Sequence, residues 1–168
     1  MIAKLRGFIY RALRRLLRSV TLDIVNNDIR VWGDPARVQV SRSARMVNTL
    51  FNTSSGRIVV GDYTFTGHNV SLITGTHDYE SLLEKRMTGI PHSGRDIIIG
   101  DGVWIGSNAV VLGPCTIGDH AVIGAGAVVL PGSEIPACAV AVGVPARPVK
   151  SVASCGRGRE GGDAAGIG

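Results

Sequence analysis

The chain has 168 residues, 45% of them hydrophobic but only 5% aromatic, with 23 glycines, so it can form one domain around a core that must be aliphatic. Such a composition excludes a disordered chain, and the glycines do not recur at every third position, which excludes collagen. The net charge of +5 is localised: residues 1–20 hold six basic side chains and no acid, while the rest holds 12 basic against 13 acidic residues, so the body carries no electrostatic footprint for nucleic acid.

The first segment, residues 1–21, reads as a basic amphipathic helix. Ile2, Leu5, Ile9, Leu13, Leu16 and Val20 recur every three or four positions and form one face, with the arginines mostly opposite. Basic residues interrupt each apolar run, unlike the continuous core of a signal peptide. No stretch approaches ~18 consecutive apolar residues, which excludes a membrane-spanning helix. The reading is a helix lying on an anionic membrane surface, with peripheral contact through residues 1–20. Packing on the protein's own body or on a neighbouring subunit is the second reading, and an organellar targeting segment the third.

From residue 22 to 152 the pattern changes to a period of six. Ile99, Ile105, Val111, Ile117, Ile123, Val129, Ile135 and Ala141 form one unbroken aliphatic row. Val103, Ala109, Cys115, Ala121, Ala127, Ser133 and Ala139 form a second row of small residues four places on. Such spacing predicts an all-β solenoid of short flat strands and tight corners, each hexad forming one side, with coils of about 18 residues stacked ~4.8 Å apart. Upstream, Val60, Thr66 and Leu72 with Thr64, Val70 and Thr76 continue the pattern, and Val40 and Met46 begin an earlier, degraded coil. Val60 and Ile99 are out of phase, so a loop of about residues 78–96 must leave the solenoid. Residues 153–168, rich in glycine and without apolar periodicity, read as a flexible tail. Cys115, Cys138 and Cys155 follow no metal or disulfide-framework spacing, which predicts unpaired thiols in a reducing compartment, Cys115 as an inward-facing hydrophobe and Cys155 as an incidental thiol of the tail.

The segments GDYTFTGHNVSLITGTHDYE, IIIGDGVWIGSNAVVLGPCTIGDHAVIGAGAVV and AVGVPARPVK together resemble the hexapeptide-repeat acyltransferases, in particular the galactoside, maltose and nodulation-factor O-acetyltransferases and the acetyltransferases of exopolysaccharide assembly. The resemblance covers about residues 38–152. It implies a left-handed parallel β-helix, a homotrimer, and active sites in clefts between subunits. It further implies acetyl-CoA as acyl donor, no metal, a saccharide or envelope-glycan hydroxyl as acceptor, and a cytoplasmic location that extends to the inner face of the membrane.

Residue by residue, His77 in TGTHD matches the family's catalytic histidine, and it stands where the hexad phase is lost. A sugar hydroxyl is a poor nucleophile, and an imidazole, which titrates near neutrality, is suited to take its proton. Asp78 or Glu80 is a candidate to orient the ring, against the reading of both as plain surface charge. Trp104 in VWIGS falls outside both inward rows, and the resemblance puts it beside the reacting centre. The backbone amide of Ser107 is implied to stabilise the oxyanion, and Ala125 to meet the pantetheine arm. Arg147 and Lys150 match a basic pair for the phosphates of coenzyme A. This chain differs from the galactoside enzyme in carrying Lys150 for a second arginine and Leu130 for a threonine. It has no clear counterpart of an acidic acceptor contact before GDYTF. Asn48 or Asn52 is the candidate in its place, against an ordinary corner asparagine, and Asp78 and His92 are further acceptor candidates. His68 and His120 read as solvent-facing.

Two other functions fit less of the sequence. A zinc hydratase related to carbonic anhydrase requires a closely spaced histidine pair that these four histidines do not supply. A solenoid scaffolding partners at a membrane leaves TGTHD and VWIGS unexplained.

Overall fold

The computed structural model describes residues 29–155; the expected N-terminal helix and the tail beyond Cys155 lie outside that range. The hexads form three five-stranded sheets, the sides of a triangular prism. The first comprises β1 (Arg30–Trp32), β3 (Leu50–Asn52), β6 (Ser71–Ile73), β9 (Val110–Leu112) and β12 (Val128–Val129). The second comprises β2 (Val38–Val40), β4 (Ile58–Val60), β7 (Ile97–Ile99), β10 (Cys115–Ile117) and β13 (Ser133–Ile135). The third comprises β5 (Phe65–Thr66), β8 (Trp104–Ile105), β11 (Val122–Ile123), β14 (Ala139–Val142) and β15 (Arg147–Ser151). All pairings are parallel except β14 with β15, which gives the parallel β-helix expected from the spacing.

Register follows from composition. Ile117 pairs with Ile99 below and Ile135 above, one coil each way, so aliphatic residues stack on aliphatic residues up the interior. All eight members of the long aliphatic row are buried, and the small row is buried except for the half-buried Ser133. Each buried Val or Ile contributes roughly 1.5–3 kcal/mol of transfer energy. Small residues fit where the chain turns, because the corner brings neighbouring coils' backbones together. Gly106 shows the constraint: a Cβ there would lie 2.5 Å from the Ala125 nitrogen of the next coil.

Two corners are columns of left-handed residues. Asn48, Asn69, Asn108 and Gly126, with φ of 44°, 57°, 59° and 68°, turn the chain from the third sheet into the first. Asparagine tolerates this conformation better than other residues with a Cβ, and Asn48 Nδ2 donates to Asn69 Oδ1 in the coil above. Tyr63, Gly102, His120 and Cys138, with φ of 56°, 63°, 58° and 60°, turn it from the second sheet into the third.

The chain leaves the prism between β6 and β7. Thr74, fully buried, occupies the last inward place, while Thr76 is only half-buried. The inward row therefore ends at Thr74 and not at the expected Thr76, because its hydroxyl closes the corner by donating to the Asn52 carbonyl, 2.8 Å away. The loop carries one short helix, α1 (Leu83–Thr88). Its return is fixed by Arg95 Nε donating to the Thr74 carbonyl at 2.7 Å and by the Arg57–Asp96 ion pair at 3.0 Å.

The cysteine expectation is corrected. Cys138 and Cys155 form a disulfide across 17 positions, with Cα atoms 6.2 Å apart, inside the usual range for a bridge. Sequence spacing concealed the pair because β15 folds back antiparallel on β14 and carries residue 155 to the corner that holds residue 138. Residues 153–155, expected in the flexible tail, form a short 3-10 turn. Cys115 is free and buried, and burial pushes its thiol up to about 12, so it packs as the expected hydrophobe and is no nucleophile.

Candidate active site

His77 lies on the exposed path by which the chain leaves the first sheet. Its Nδ1 is 3.0 Å from the backbone carbonyl of Arg86 in α1. A carbonyl only accepts, so Nδ1 carries the proton of the neutral ring and Nε2 keeps its lone pair. Arg86 is braced in turn: Nε donates to the Ser81 carbonyl at 2.6 Å and Nη2 to the Tyr79 carbonyl at 3.1 Å. Sequence reasoning missed Arg86, since a carbonyl acting across a loop leaves no mark on residue type.

The partner of the ring is the Arg86 carbonyl and neither candidate acid. Asp78 accepts from the Ser81 hydroxyl through Oδ2 and from the Glu80 amide through Oδ1 at 3.2 Å. The Ser81 hydroxyl holds its carboxyl below the usual range near 3.8, against an opposing effect of burial. Asp78 thus ties the loop to itself, and the Arg86 carbonyl holds the ring.

Asn52 and Asn48 stand at opposite edges of the first sheet. Asn52 ends β3 at the edge from which His77 departs: a Cβ on Gly75 would meet its Oδ1 at 2.7 Å. The same oxygen accepts from the Ser54 amide at 3.0 Å. Trp32 pairs with Asn52 in register and is 70% exposed, which puts a large ring beside this edge that sequence reasoning did not single out. Asn48 is a corner asparagine on the far edge. His92 is exposed, and its carbonyl accepts from Arg37 Nη1 at 3.0 Å.

Of the residues matched to donor binding, Ser107 and Ala125 lie at that far corner, while Trp104, Arg147 and Lys150 lie on strands of the adjoining third sheet. Trp104 projects outward from β8 and stacks on Phe65, ring centroids 5.9 Å apart, in an open groove of about 610 Å³ that His120 and both disulfide cysteines also line. Ser107 turns the corner just beyond it. Its Oγ accepts from the His68 amide at 3.1 Å, and among the described residues its own amide donates to no backbone carbonyl. Ala125 occupies the same corner one coil on and is exposed. Arg147 and Lys150 lie on β15, a strand exposed along its whole length. His68 and His120 are exposed, as expected.

Within one chain, then, His77 and the Trp104–Ser107 corner stand on opposite edges of the first sheet, separated by a side of the prism, on the order of 15 Å of extended chain. Among the described residues no group of three or more His, Cys, Asp or Glu side chains is placed to hold a metal ion, and no helix is long and apolar enough to cross a membrane.

Comparison with known proteins agrees with the fold. Residues 96–131 match the family described as bacterial transferase hexapeptide (six repeats). A Saccharomyces cerevisiae (strain ATCC 204508 / S288c) protein carrying the provisional description acetyltransferase YJL218W is 33% identical over 84% of this chain and 70% of its own length. Galactoside O-acetyltransferase of Escherichia coli (strain K12) is 38% identical over 56% of this chain and 44% of its own. A solved structure of a galactoside acetyltransferase in complex with coenzyme A superposes with a TM-score of 0.51 at 31% identity, covering 73% of this chain and 64% of that one. The chain spans less than half the length of two of the curated relatives it matches. With a hexad solenoid whose coils pair in parallel, interrupted among the described residues by a long loop after β6, and a relative matched over more than two thirds of both lengths, the chain belongs to the hexapeptide-repeat acyltransferase family of left-handed parallel β-helices.

Proposed function

We propose that the protein transfers an acetyl group from acetyl-CoA to a hydroxyl of a saccharide, in sites formed between the copies of a homotrimer. The observation that carries this reading is the pairing of His77 with the Arg86 carbonyl, which leaves Nε2 as an outward-facing base on a loop and not inside the prism. The first sheet supports the trimer. Its outer face presents the half-buried Leu50, Ile73, Val110, Leu112 and Val128 beside Asn52 and Ser71, whereas the second sheet mixes the half-buried Val59 and Ile98 with the exposed Gln39, Thr116 and Glu134. Three copies with their first sheets toward a common axis would set the His77 edge of one against the Ser107 edge of the next, a heterologous contact that closes.

In such a cleft His77 Nε2 takes the acceptor's hydroxyl proton as the oxygen attacks the thioester carbonyl. The Ser107 amide of the neighbouring copy donates to the oxyanion. Collapse of the adduct breaks the carbon–sulfur bond, and the imidazolium returns its proton to the departing thiolate, leaving an acetyl ester and free coenzyme A. Trp104 walls the cleft, Ala125 leaves room for the pantetheine arm, and Arg147 with Lys150 contacts the phosphates. The complex of the similar galactoside acetyltransferase with coenzyme A supports this choice of donor. Asn52, on the His77 edge, is the favoured acceptor contact, with Asp78 and His92 on the loop; Asn48, on the opposite edge, would reach only an acceptor bound to the neighbouring copy's His77.

The test is thioester loss from acetyl-CoA measured against a panel of saccharides. Acceptor-dependent loss is expected with wild type and not with His77→Ala; no acceptor-dependent loss with any saccharide would overturn the reading. The donor is made in the cytoplasm, which is where this reading puts the protein, with residues 1–20 touching the inner face of the membrane. Binding to anionic liposomes that survives deletion of residues 1–20 would end the membrane part alone.

A further inference from the structure

We propose that Cys138 and Cys155 form a thiol–disulfide site that fixes the strand bearing Arg147 and Lys150, so that reduction by a dithiol weakens donor binding without removing the catalytic base. The inference rests on the reading of Arg147 and Lys150 as phosphate contacts, and it adds a redox input to them.

The strand β15 is anchored at its start, where the buried Ala146 donates to the Val128 carbonyl at 2.8 Å, and little beyond its ladder holds the rest. All five of its residues are exposed, so it lacks the buried alternate side chain that anchors the parallel strands of its sheet. Its ladder among the described residues is antiparallel, to β14, and the register shifts between Val140 and Ala141. Opposite Ala141 stands Pro148, which has no N–H to give to the ladder. The two cysteines close this hairpin from outside. Cys138 is its fixed end: it sits in the left-handed corner column, and its amide donates to the Asp119 carbonyl at 2.7 Å. Cys155 is the returning end, reached after Val152 has donated to the Cys138 carbonyl at 2.8 Å. The closed loop contains both basic residues.

The sulfurs are also reachable. Both cysteines are half-buried and line the open groove that contains Trp104. A half-exposed disulfide in a reducing compartment belongs to the labile, responsive class. In the exchange, one thiolate of the dithiol attacks a protein sulfur, giving a mixed disulfide and a cysteine thiolate that takes up a proton. The second thiol of the reductant then closes its own ring and releases the other cysteine. The protein gains two hydrogens and the dithiol loses two. Cys115, buried and with its thiol held protonated, cannot intercept the exchange.

The experiment uses the full chain equilibrated with oxidised or reduced dithiothreitol, free thiols being counted in each state. Reduction is expected to raise the KM for acetyl-CoA by at least about threefold, a fraction of the constraint that closing a loop of this size supplies, with kcat kept. The Cys138→Ser/Cys155→Ser double variant should show the reduced value in either buffer; if it folds poorly, the comparison of redox states on the wild-type chain still decides. Equal KM values for oxidised and reduced enzyme, or three free thiols in the oxidised buffer, overturn the proposal. A separate arm, Arg147→Ala in the oxidised enzyme, distinguishes the failures: a raised KM there with no redox effect sinks the clamp alone, and an unchanged KM sinks the phosphate reading and the clamp with it.

Discussion

The Arg86 carbonyl oxygen lies 3.0 Å from His77 Nδ1, which puts the proton of the neutral ring on that nitrogen and leaves Nε2 as the one that would serve the proposed reaction as base. It ties a residue at the root of the loop to one in the helix at its crest, so the loop's fold and the ring's tautomer are a single arrangement. His77→Ala should lower kcat by about 10²–10⁴-fold, the usual share of general-base help, and leave the circular dichroism unchanged, because the exposed ring covers no core residue. Initial rates of thioester loss measure this, and a variant retaining most of its turnover removes His77 from the reaction.

Arg86→Ala tests the brace. Without its guanidinium the Ser81 and Tyr79 carbonyls no longer fix α1, and the carbonyl facing His77 drifts. A fall in kcat of about tenfold is expected, since small displacements of a catalytic group are costly, while the KM for acetyl-CoA stays unchanged. The loss should largely vanish in a His77→Ala background, because the two residues act as one unit. Full additivity would show that Arg86 acts elsewhere.

Thiol chemistry checks the disulfide. A maleimide or disulfide dye at about pH 8 should label no cysteine of the native oxidised protein, given one buried thiol pushed up to about 12 and two paired sulfurs. Denaturation without reductant should expose one thiol, and denaturation with reductant three. Labelling of the native protein at Cys155 would show the tail unpaired.

The interior was legible in the sequence because a solenoid repeats one environment: Ile99 through Ala141 recur at a fixed step, and each meets its predecessor's kind one coil away. The break in phase likewise revealed the loop and set His77 at its edge. Contacts that depend on how the chain returns on itself were not legible. Cys155 meets Cys138 only because β15 reverses against β14, Arg86 serves His77 through a backbone atom, and Asn48 and Asn52, four residues apart, part to opposite edges because a strand lies between them.

Acid should loosen the loop through Asp78. The Ser81 hydroxyl holds the folded-state carboxyl below its ordinary value near 3.8, so the ionised form is the one the fold favours. The stabilisation is therefore complete above the ordinary value and disappears as pH falls through the lower, folded-state one. Amide exchange in residues 78–89, corrected for its intrinsic acid dependence and followed from about pH 5 to about pH 2.5, should show protection lost over this window. Asp78→Asn should show the lower protection throughout; a wild-type loop whose protection is flat across the window would remove Asp78 as its tie.

Gly106 couples the solenoid's packing to the donor edge. A methyl there would lie 2.5 Å from the Ala125 nitrogen, 2.8 Å from its Cα and 2.9 Å from the Gly124 carbonyl carbon, all backbone atoms of the next coil that no rotamer change can move. Gly106→Ala should therefore cost about 1–3 kcal/mol, as overpacking does, and lower the melting temperature. Because Ser107 follows directly and Ala125 is the residue pushed away, the same variant should raise the KM for acetyl-CoA. At Gly126 a Cβ meets nothing within 4 Å, and only its φ of +68° opposes substitution, so Gly126→Ala should lower stability by about 1 kcal/mol through backbone strain and affect KM less. Thermal melts and donor kinetics on the two variants compare a steric clash between coils with a torsional penalty at one corner. If both variants raised KM equally, the spacing between the Ser107 and Ala125 corners would not be what admits the donor.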